Sequence, residues 1–347
     1  MNKVKVAILF GGKSSEYGVS LHSTASVLYN MPEEFEVSMY GISRDGNWYK
    51  YTGSIEALEN DQWQENATRC VLSVDPKDHG FLVFEEDGVK VEYVDVVFPV
   101  MHGPNGEDGT IQSVCELAGI PCVGCGRLSS SMSMDKEYTH IVCEHFNVPM
   151  AKWMAVHKRD VTDYEALYKT IEETLGVPCI VKPANAGSSF GVNKVKDYDS
   201  FVRGINDAFL YDSKVLVEEF ITGFEVGCAV LGNETLVLGE VDEIEMATEI
   251  FDFAEKYNHV TSKIHVPARI SKEIKEQVYE YAKVVYRAMS CEEFSRIDFF
   301  VSGDKVYFNE LNTIPGFTSA SRYPSMLKEV GYSFTEIIRS VITLAMK

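Results

Sequence analysis

The 347-residue sequence predicts an α/β protein with a parallel sheet at its N-terminal end and mixed α and β elements after it. Three observations carry this. Apolar runs with strand pattern alternate with amphipathic segments through the first third. Glycine-dense loops directly follow two of those runs. Longer helix-period segments then separate the later strands. In order, Val4–Phe10 and Val37–Ile42 read as strands around a helix near Leu21–Tyr29, and Val94–Val100 continues the series. Beyond Pro121–Gly126 the pattern shifts to helices over Asp135–Phe146 and Tyr164–Leu175, then strands at Cys179–Lys182 and Val215–Phe220. A third region opens near Glu225 with apolar runs Val226–Leu231, Thr235–Val241, Ile297–Val301 and Val306–Asn309. Ile274, Val278, Ala282, Val285 and Met289 share one helical face. Ser333 and Glu336 have capping-box spacing and open a closing helix to about Leu344.

Composition bounds the function. The chain has 32 Lys plus Arg against 52 Asp plus Glu, a net charge of −20, and is 45% hydrophobic. That is a globular composition with material for two or three cores. A duplex repels such a chain unless it carries a separate basic face, and no Lys/Arg run supplies one, so no nucleic-acid partner is expected. The apolar run Val96–Met101 is far short of the roughly 20 residues that cross a bilayer, so no membrane partner is expected either. Met1–Phe10 reads as a buried first strand, too brief in its apolar part for a signal peptide. The eight cysteines are scattered, mostly in apolar segments, as reduced core thiols are; the expected location is cytoplasmic.

Three segments have the composition of chemistry. Lys182-Pro-Ala-Asn-Ala-Gly-Ser-Ser-Phe-Gly191 places a lysine at a strand end before a Gly/Ser loop that includes Gly187, Ser188 and Ser189. Backbone N–H groups, hydroxyls and an ammonium suit phosphate oxygens. An ordinary Gly/Ser turn explains the loop equally well on its own. Arg296-Ile-Asp298 and Glu310-Leu-Asn312 each put two polar residues on one strand face. Two carboxylates and an amide suit a hard divalent cation, although a surface hairpin has the same pattern. His102–Gly109 follows the strand ending at Met101, and Gly11–Glu16 follows the first strand. Both occupy the carboxyl-end positions where open α/β sheets bind ligands, placing His102, Glu107 and Glu16 there. Cys122-Val-Gly-Cys125 has redox spacing without a second pair and reads as structural. His140 and His145 read as surface or packing residues. The acidic run Glu240–Glu245 reads by default as a solvated edge.

Together these segments resemble the D-alanine–D-alanine ligase family of ATP-grasp enzymes. The matching stretches are GGKSSEYGVS (11–20), HGPNGEDGTIQ (102–112), Asp135-Lys136, Lys182–Gly191, Glu218–Glu225, FDFAEKY (251–257), Arg296–Asp298 and ELNTIPGFTSAS (310–321). The resemblance implies an ATP-grasp fold divided into an N-terminal Rossmann-like domain (1–125), a central ATP-grasp subdomain (126–222) and a C-terminal ATP-grasp subdomain with the catalytic and metal site (223–347). It implies that ATP phosphorylates the carboxylate of D-alanine, after which the amine of a second D-amino acid displaces phosphate. Lys136, Lys182 and Lys256 match phosphate-contacting lysines, with Gly187, Ser188 and Ser189 in the phosphate loop. Glu218 and Glu225 match groups at the adenosine end, with Glu219, Phe220 and Ile221 facing adenine. Asp298, Glu310 and Asn312 match ligands of Mg²⁺ (or Mn²⁺), two ions in all. Glu16 matches the group that holds the first ammonium, with Ser188 and Tyr257 as its partners. Arg296 and the Gly316 N–H match an oxyanion hole, and Gly316 and Ser321 match contacts to the second carboxylate. Relatives are commonly homodimers.

Three departures bear on the second substrate. Arg322 stands where ordinary members usually carry an apolar residue, Phe251 where they commonly carry Tyr, and Asp242 lies just upstream. With His102, these form the expected second-substrate set. The trio resembles the D-alanine–D-serine ligases of vancomycin resistance, most closely the VanG type, and implies a dipeptide for peptidoglycan precursors with altered vancomycin affinity. An arginine fixed by a carboxylate can recognise a hydroxymethyl group, and a site built for a hydroxyl penalises a substrate without one. A surface salt bridge is the plain alternative for Arg322. A housekeeping D-alanine–D-alanine ligase and a non-catalytic nucleotide-binding relative are the competing readings. A dinucleotide-dependent dehydrogenase is excluded because Gly11-Gly-Lys-Ser-Ser lacks GxGxxG.

Overall fold

The structure, a computed structural model, describes residues 3–187, 189–245 and 263–347. Among these, three sheets follow one another along the chain. The first contains β1 (Val4–Gly11), β2 (Phe35–Ile42), β3 (Trp48–Tyr51), β4 (Ala67–Leu72), β5 (Gly80–Glu85), β6 (Gly88–Tyr93) and β7 (Val96–Val100) in the order 6-5-4-3-2-1-7. β1 runs parallel to β2 and β7, as expected. The remaining strands extend β2 as an antiparallel meander, so this sheet is mixed. β1 and β7 are apolar on both faces because both are covered, the situation of a parallel sheet core. One face meets the helix Thr110–Ala118 through Ile111, Cys115 and Ala118. The other meets the last helix, Phe334–Ala345, whose Ile337, Ile338, Val341 and Ile342 are fully buried. Each such side chain contributes roughly 1.5–3 kcal/mol of burial, so the two ends of the chain share one core.

The second sheet orders β8 (Trp153–His157), β9 (Cys179–Pro183), β10 (Asn193–Val195) and β11 (Lys214–Glu219) as 10-9-11-8. The helices Tyr164–Thr174 and Tyr198–Ala208 supply its core through Ile171, Phe201, Ile205 and Ala208. Asp197 and Ser200 close a capping box at the second of these.

The third sheet contains β12 (Phe224–Leu231), β13 (Val237–Leu238), β14 (Asp242–Glu245), β15 (Lys263–His265), β16 (Phe294–Ser302) and β17 (Lys305–Asn312). Its order is 15-14-12-16-17, all antiparallel, with β13 paired to β12. The helix Lys272–Ala288 lays Ile274, Val278, Ala282 and Val285 on it, the face its periodicity predicts. The run Thr235–Val241 contributes only Val237–Leu238 as strand. The acidic run that follows is not a solvated edge. β14 pairs on both sides, Asp242 is fully buried, and Glu243 is buried with a bidentate link to Arg269. Charge composition marks this run as surface, but distant cations make its burial possible.

All eight cysteines are free thiols. Cys125 is packed where the first sheet passes to the rest, its Sγ 3.5 Å from the Glu292 carbonyl. Among the described residues no helix is long and apolar enough to cross a membrane.

Candidate active site

A cleft opens between the second and third sheets, with an empty volume of about 1130 Å³ including its mouth. Lys136, Lys182, Gly187, Ser189, Glu218, Glu219, Phe220, Ile221, Glu225 and Glu310 line it, so ten of the expected nucleotide and metal residues share one concavity. Ile180, Phe300 and Phe308 give it apolar walls able to take a flat ring, and the lysines give one end positive charge. A smaller hollow of about 490 Å³ adjoins it through Lys136, Gly187 and Glu310, and is also lined by Glu107, His140 and Asn312.

The lysines come from two elements. Lys182 lies near the end of β9, where its Nζ is 2.7 Å from Glu218 Oε1 on the neighbouring β11. His140 Nε2 lies 2.9 Å from the same oxygen, and its ring packs edge-on against Trp153 and Phe308. Burial raises the affinity of Glu218 for a proton, but Lys182 and His140 outweigh it and bring its carboxyl down to about 2. His140 is therefore neither a surface residue nor mere packing. It sits four residues after Lys136 on the helix Lys136–His145, so both face the site, and that i, i+4 spacing was the available signal. Lys136 donates to the Ala186 carbonyl at 2.6 Å, tying the helix start to the loop after β9. In that loop Ser189 has φ +59° and Gly191 φ +69°, a left-handed backbone that small residues tolerate.

Glu16 is buried where the first sheet meets this loop. A Cβ on Gly103 would lie 2.5 Å from its carboxylate and one on Gly187 3.3 Å away, so glycines make room for it on both sides. Glu107 accepts the Gly103 N–H at 2.8 Å; burial, then the charge of Glu16, pushes its carboxyl up to about 8. His102 lies 3.1 Å from Ser23 Oγ and 3.2 Å from the Ile314 carbonyl, and burial holds its imidazole below its usual range despite Glu16. Ser321 Oγ accepts the Thr318 N–H at 3.1 Å, and a Cβ on Gly316 would sit 3.2 Å from it.

Across β16 and β17, Asp298 is registered opposite Glu310 and Arg296 opposite Asn312. Arg296 grips Asp298 in a fork, Nε to Oδ1 at 2.9 Å and Nη2 to Oδ2 at 2.8 Å. The Asn312 amide donates to Asp298 Oδ2 at 2.9 Å. No cluster of three His, Cys, Asp or Glu suited to a metal occurs among the described residues. Two carboxylates and an amide oxygen in adjacent registers are nevertheless the donor types that a hard divalent cation takes, its shell completed by water and phosphate.

Arg322 opens the helix Arg322–Glu329 and is buried, which removes the surface-bridge alternative. Its Nε and Nη2 reach Asp242 at 2.7 and 2.9 Å, its Nη1 reaches Glu225 at 2.8 Å, and Nη2 lies 3.4 Å from Asp298. The sequence links Arg322 with Asp242 and places Glu225 at the adenosine end, but shows neither that Glu225 also holds this guanidinium nor that Gly227 lies beside it. Ser188, Phe251, Lys256 and Tyr257 lie outside the described residues.

An ordered cleft between two antiparallel sheets, behind a Rossmann-like domain, defines an ATP-grasp protein. Profiles of the D-ala D-ala ligase N-terminus and C-terminus match residues 5–125 and 142–343. The D-alanine–D-alanine ligase of Acetivibrio thermocellus is 43% identical over 363 residues, covering 100% of this chain and 96% of the relative. That of Clostridium acetobutylicum is also 43% identical, covering 99% and 98%. Among solved structures, the VanG D-Ala:D-Ser ligase of Enterococcus faecalis superposes with a TM-score of 0.91 at 44% identity, covering 99% of each chain. The D-alanine–D-alanine ligase of Coxiella burnetii gives 0.86 at 29%, covering 99% of this chain and 95% of that one. The chain belongs to the D-alanine–D-alanine ligase family.

Proposed function

We propose that this protein is an ATP-dependent ligase that joins D-alanine to D-serine through D-alanyl phosphate. The observation that carries the choice of D-serine is the buried Arg322–Asp242 pair beside Asp298. A guanidinium held on two edges keeps a fixed orientation, which is what discrimination of a hydroxyl requires. The likeness to the VanG D-Ala:D-Ser ligase supports the same reading.

In this reading Lys136 and Lys182 attract the ATP phosphates, and Glu225 takes the adenosine end of the cleft. Phosphoryl transfer is mainly positioning and charge stabilisation, so cations around the phosphates are the chief requirement. Asp298, Glu310 and Asn312 would hold Mg²⁺, which supplies charge neutralisation to the phosphate oxygens. Glu16 pairs with the ammonium of D-alanine and orients its carboxylate, whose oxygen takes the γ-phosphoryl group as ADP departs. The amine of the second amino acid then attacks the acyl carbon. Arg296 and the Gly316 N–H stabilise the oxyanion, which collapses with release of phosphate. Gly316 and Ser321 hold the second carboxylate, with His102 beside them. We read residues 1–125, 126–222 and 223–347 as the three working domains, assembled as a homodimer.

D-Alanine as second substrate is the competing reading, favoured by the names of the 43%-identical relatives. Phosphate release with D-alanine plus each second substrate, with the dipeptide identified, separates the two. The wild type is expected to show the higher kcat/KM with D-serine, and Arg322→Leu to reverse the preference. A wild type preferring D-alanine, or an Arg322→Leu variant with an unchanged ratio, overturns the D-serine reading.

A further inference from the structure

The third sheet carries a row of acids interrupted by one glycine. Gly227 on β12 is registered opposite Asp242 on β14 and opposite Asp298 on β16, and Asp298 is opposite Glu310 on β17. Directly paired residues project from the same face, and neighbouring strands lie about 4.8 Å apart. Asp242 and Asp298 are thus separated by one strand whose residue at that point has no side chain. The Arg322 guanidinium lies over this gap. A Cβ at position 227 would stand 2.6 Å from Arg322 Nη2, 2.8 Å from Asp242 Oδ1 and 2.8 Å from Met326 Cε. The methionine end can swing aside. The guanidinium cannot do so cheaply, because Asp242, Glu225 and Asp298 fix it from three sides.

We propose that Gly227 is a positioning residue for the second-substrate subsite: its missing side chain forms the seat in which Arg322 is held between Asp242 and Asp298. Any side chain there displaces the guanidinium while leaving the strand able to pair, since a backbone N–H and C=O are present in every alternative but proline. Gly227 itself has no need of a left-handed backbone, as it is absent from the positive-φ glycines. The space, not the backbone, explains the glycine. This assignment rests on the reading that Arg322 serves the second subsite.

The test is a double-mutant cycle of Gly227→Ala and Arg322→Leu in the full chain. It reads the thermal midpoint and the ratio of kcat/KM for D-serine over D-alanine, with ATP and D-alanine as co-substrates. Gly227→Ala alone is expected to lower the midpoint and to cut the ratio about tenfold. In the Arg322→Leu background the same substitution is expected to change the ratio less than twofold and to lower the midpoint less, since only Asp242 Oδ1 and Met326 Cε then remain close. Equal effects of Gly227→Ala in both backgrounds overturn the seat. If the wild type prefers D-alanine, the D-serine reading fails by itself and the midpoint cycle decides the seat: a non-additive cycle upholds it and an additive one overturns it. Should Gly227→Ala fail to fold, a folded double variant supports the seat and an unfolded one overturns it.

Discussion

Lys182 and Glu218 form a buried ion pair 2.7 Å apart on adjacent strands at the wall of the nucleotide cleft, and His140 shares the same carboxylate oxygen. Glu218 has its proton affinity lowered on folding, to about 2 from the usual carboxylate value. Its stabilising contribution is therefore complete above about pH 4.5 and is lost as pH falls toward 2, amounting to on the order of 3 kcal/mol. Thermal midpoints of wild type and Glu218→Gln at pH 7 and pH 3 check this. The variant should start lower at pH 7, and its deficit should shrink at pH 3. A deficit that is the same at both values rules the linkage out.

His140 supports Glu218 from beneath, and its ring is wedged against Trp153 and Phe308. His140→Leu removes the polar contact and leaves Lys182 as the remaining ion-pair partner of Glu218 among the described residues. An unmade buried contact to a charged group costs about 1–3 kcal/mol. Lys182 is then drawn more fully to Glu218, so KM for ATP should rise roughly fivefold, and initial-rate kinetics read it. His140→Gln, which retains an N–H donor, should recover most of the loss.

Asp242 is fully buried and supplies both oxygens to Arg322. Removing one partner of a buried pair costs roughly 3–5 kcal/mol. Glu225 and Asp298 still hold the guanidinium, so Asp242→Asn should fall at about 3 kcal/mol by denaturant unfolding. A loss below about 1 kcal/mol would mean that the fork contributes little.

The last helix tests a local element. Ser333 Oγ accepts the Glu336 N–H at 3.2 Å, and Glu336 Oε2 accepts the Ser333 N–H at 2.7 Å. Ser333→Ala should destabilise by about 1 kcal/mol with kcat unchanged. Because this helix covers the first sheet, a larger loss would show that the cap governs docking as well as helix initiation.

The cap was legible because its partners are three residues apart. The shared faces of Arg296 with Asp298 and of Glu310 with Asn312 were legible for a similar reason, since alternation is a local rule. Alternation does not say which strand lies alongside, so the register of Asp298 opposite Glu310 needed the fold. The meander β3–β6 is not legible in the sequence because its strands are short and partly polar; Gly88–Tyr93 is exposed along most of its length. The burial of Asp242 and Glu243 is not legible in the acidic run because the cations that permit it lie elsewhere in the sequence, Arg322 being 80 residues from Asp242. The role of His140 is hidden for a related reason: its partner Glu218 arrives from another element. Residue types and order were enough to suggest a nucleotide site. The pairing of buried charges was not, because it is a property of the assembled sheets.

The space over Gly227 also constrains how this chain can change. A larger residue at 227 collides with the guanidinium as long as residue 322 is arginine. A smaller apolar residue at 322 removes the shortest of these contacts and leaves only Asp242 Oδ1 and the end of Met326 to give way. Mutational paths between the two states are thus biased: a side chain at 227 costs less once the arginine has gone, and an arginine returning to 322 meets whatever side chain has filled position 227. The missing Cβ couples the two positions, so that arginine at 322 and glycine at 227 are expected to be kept or lost together.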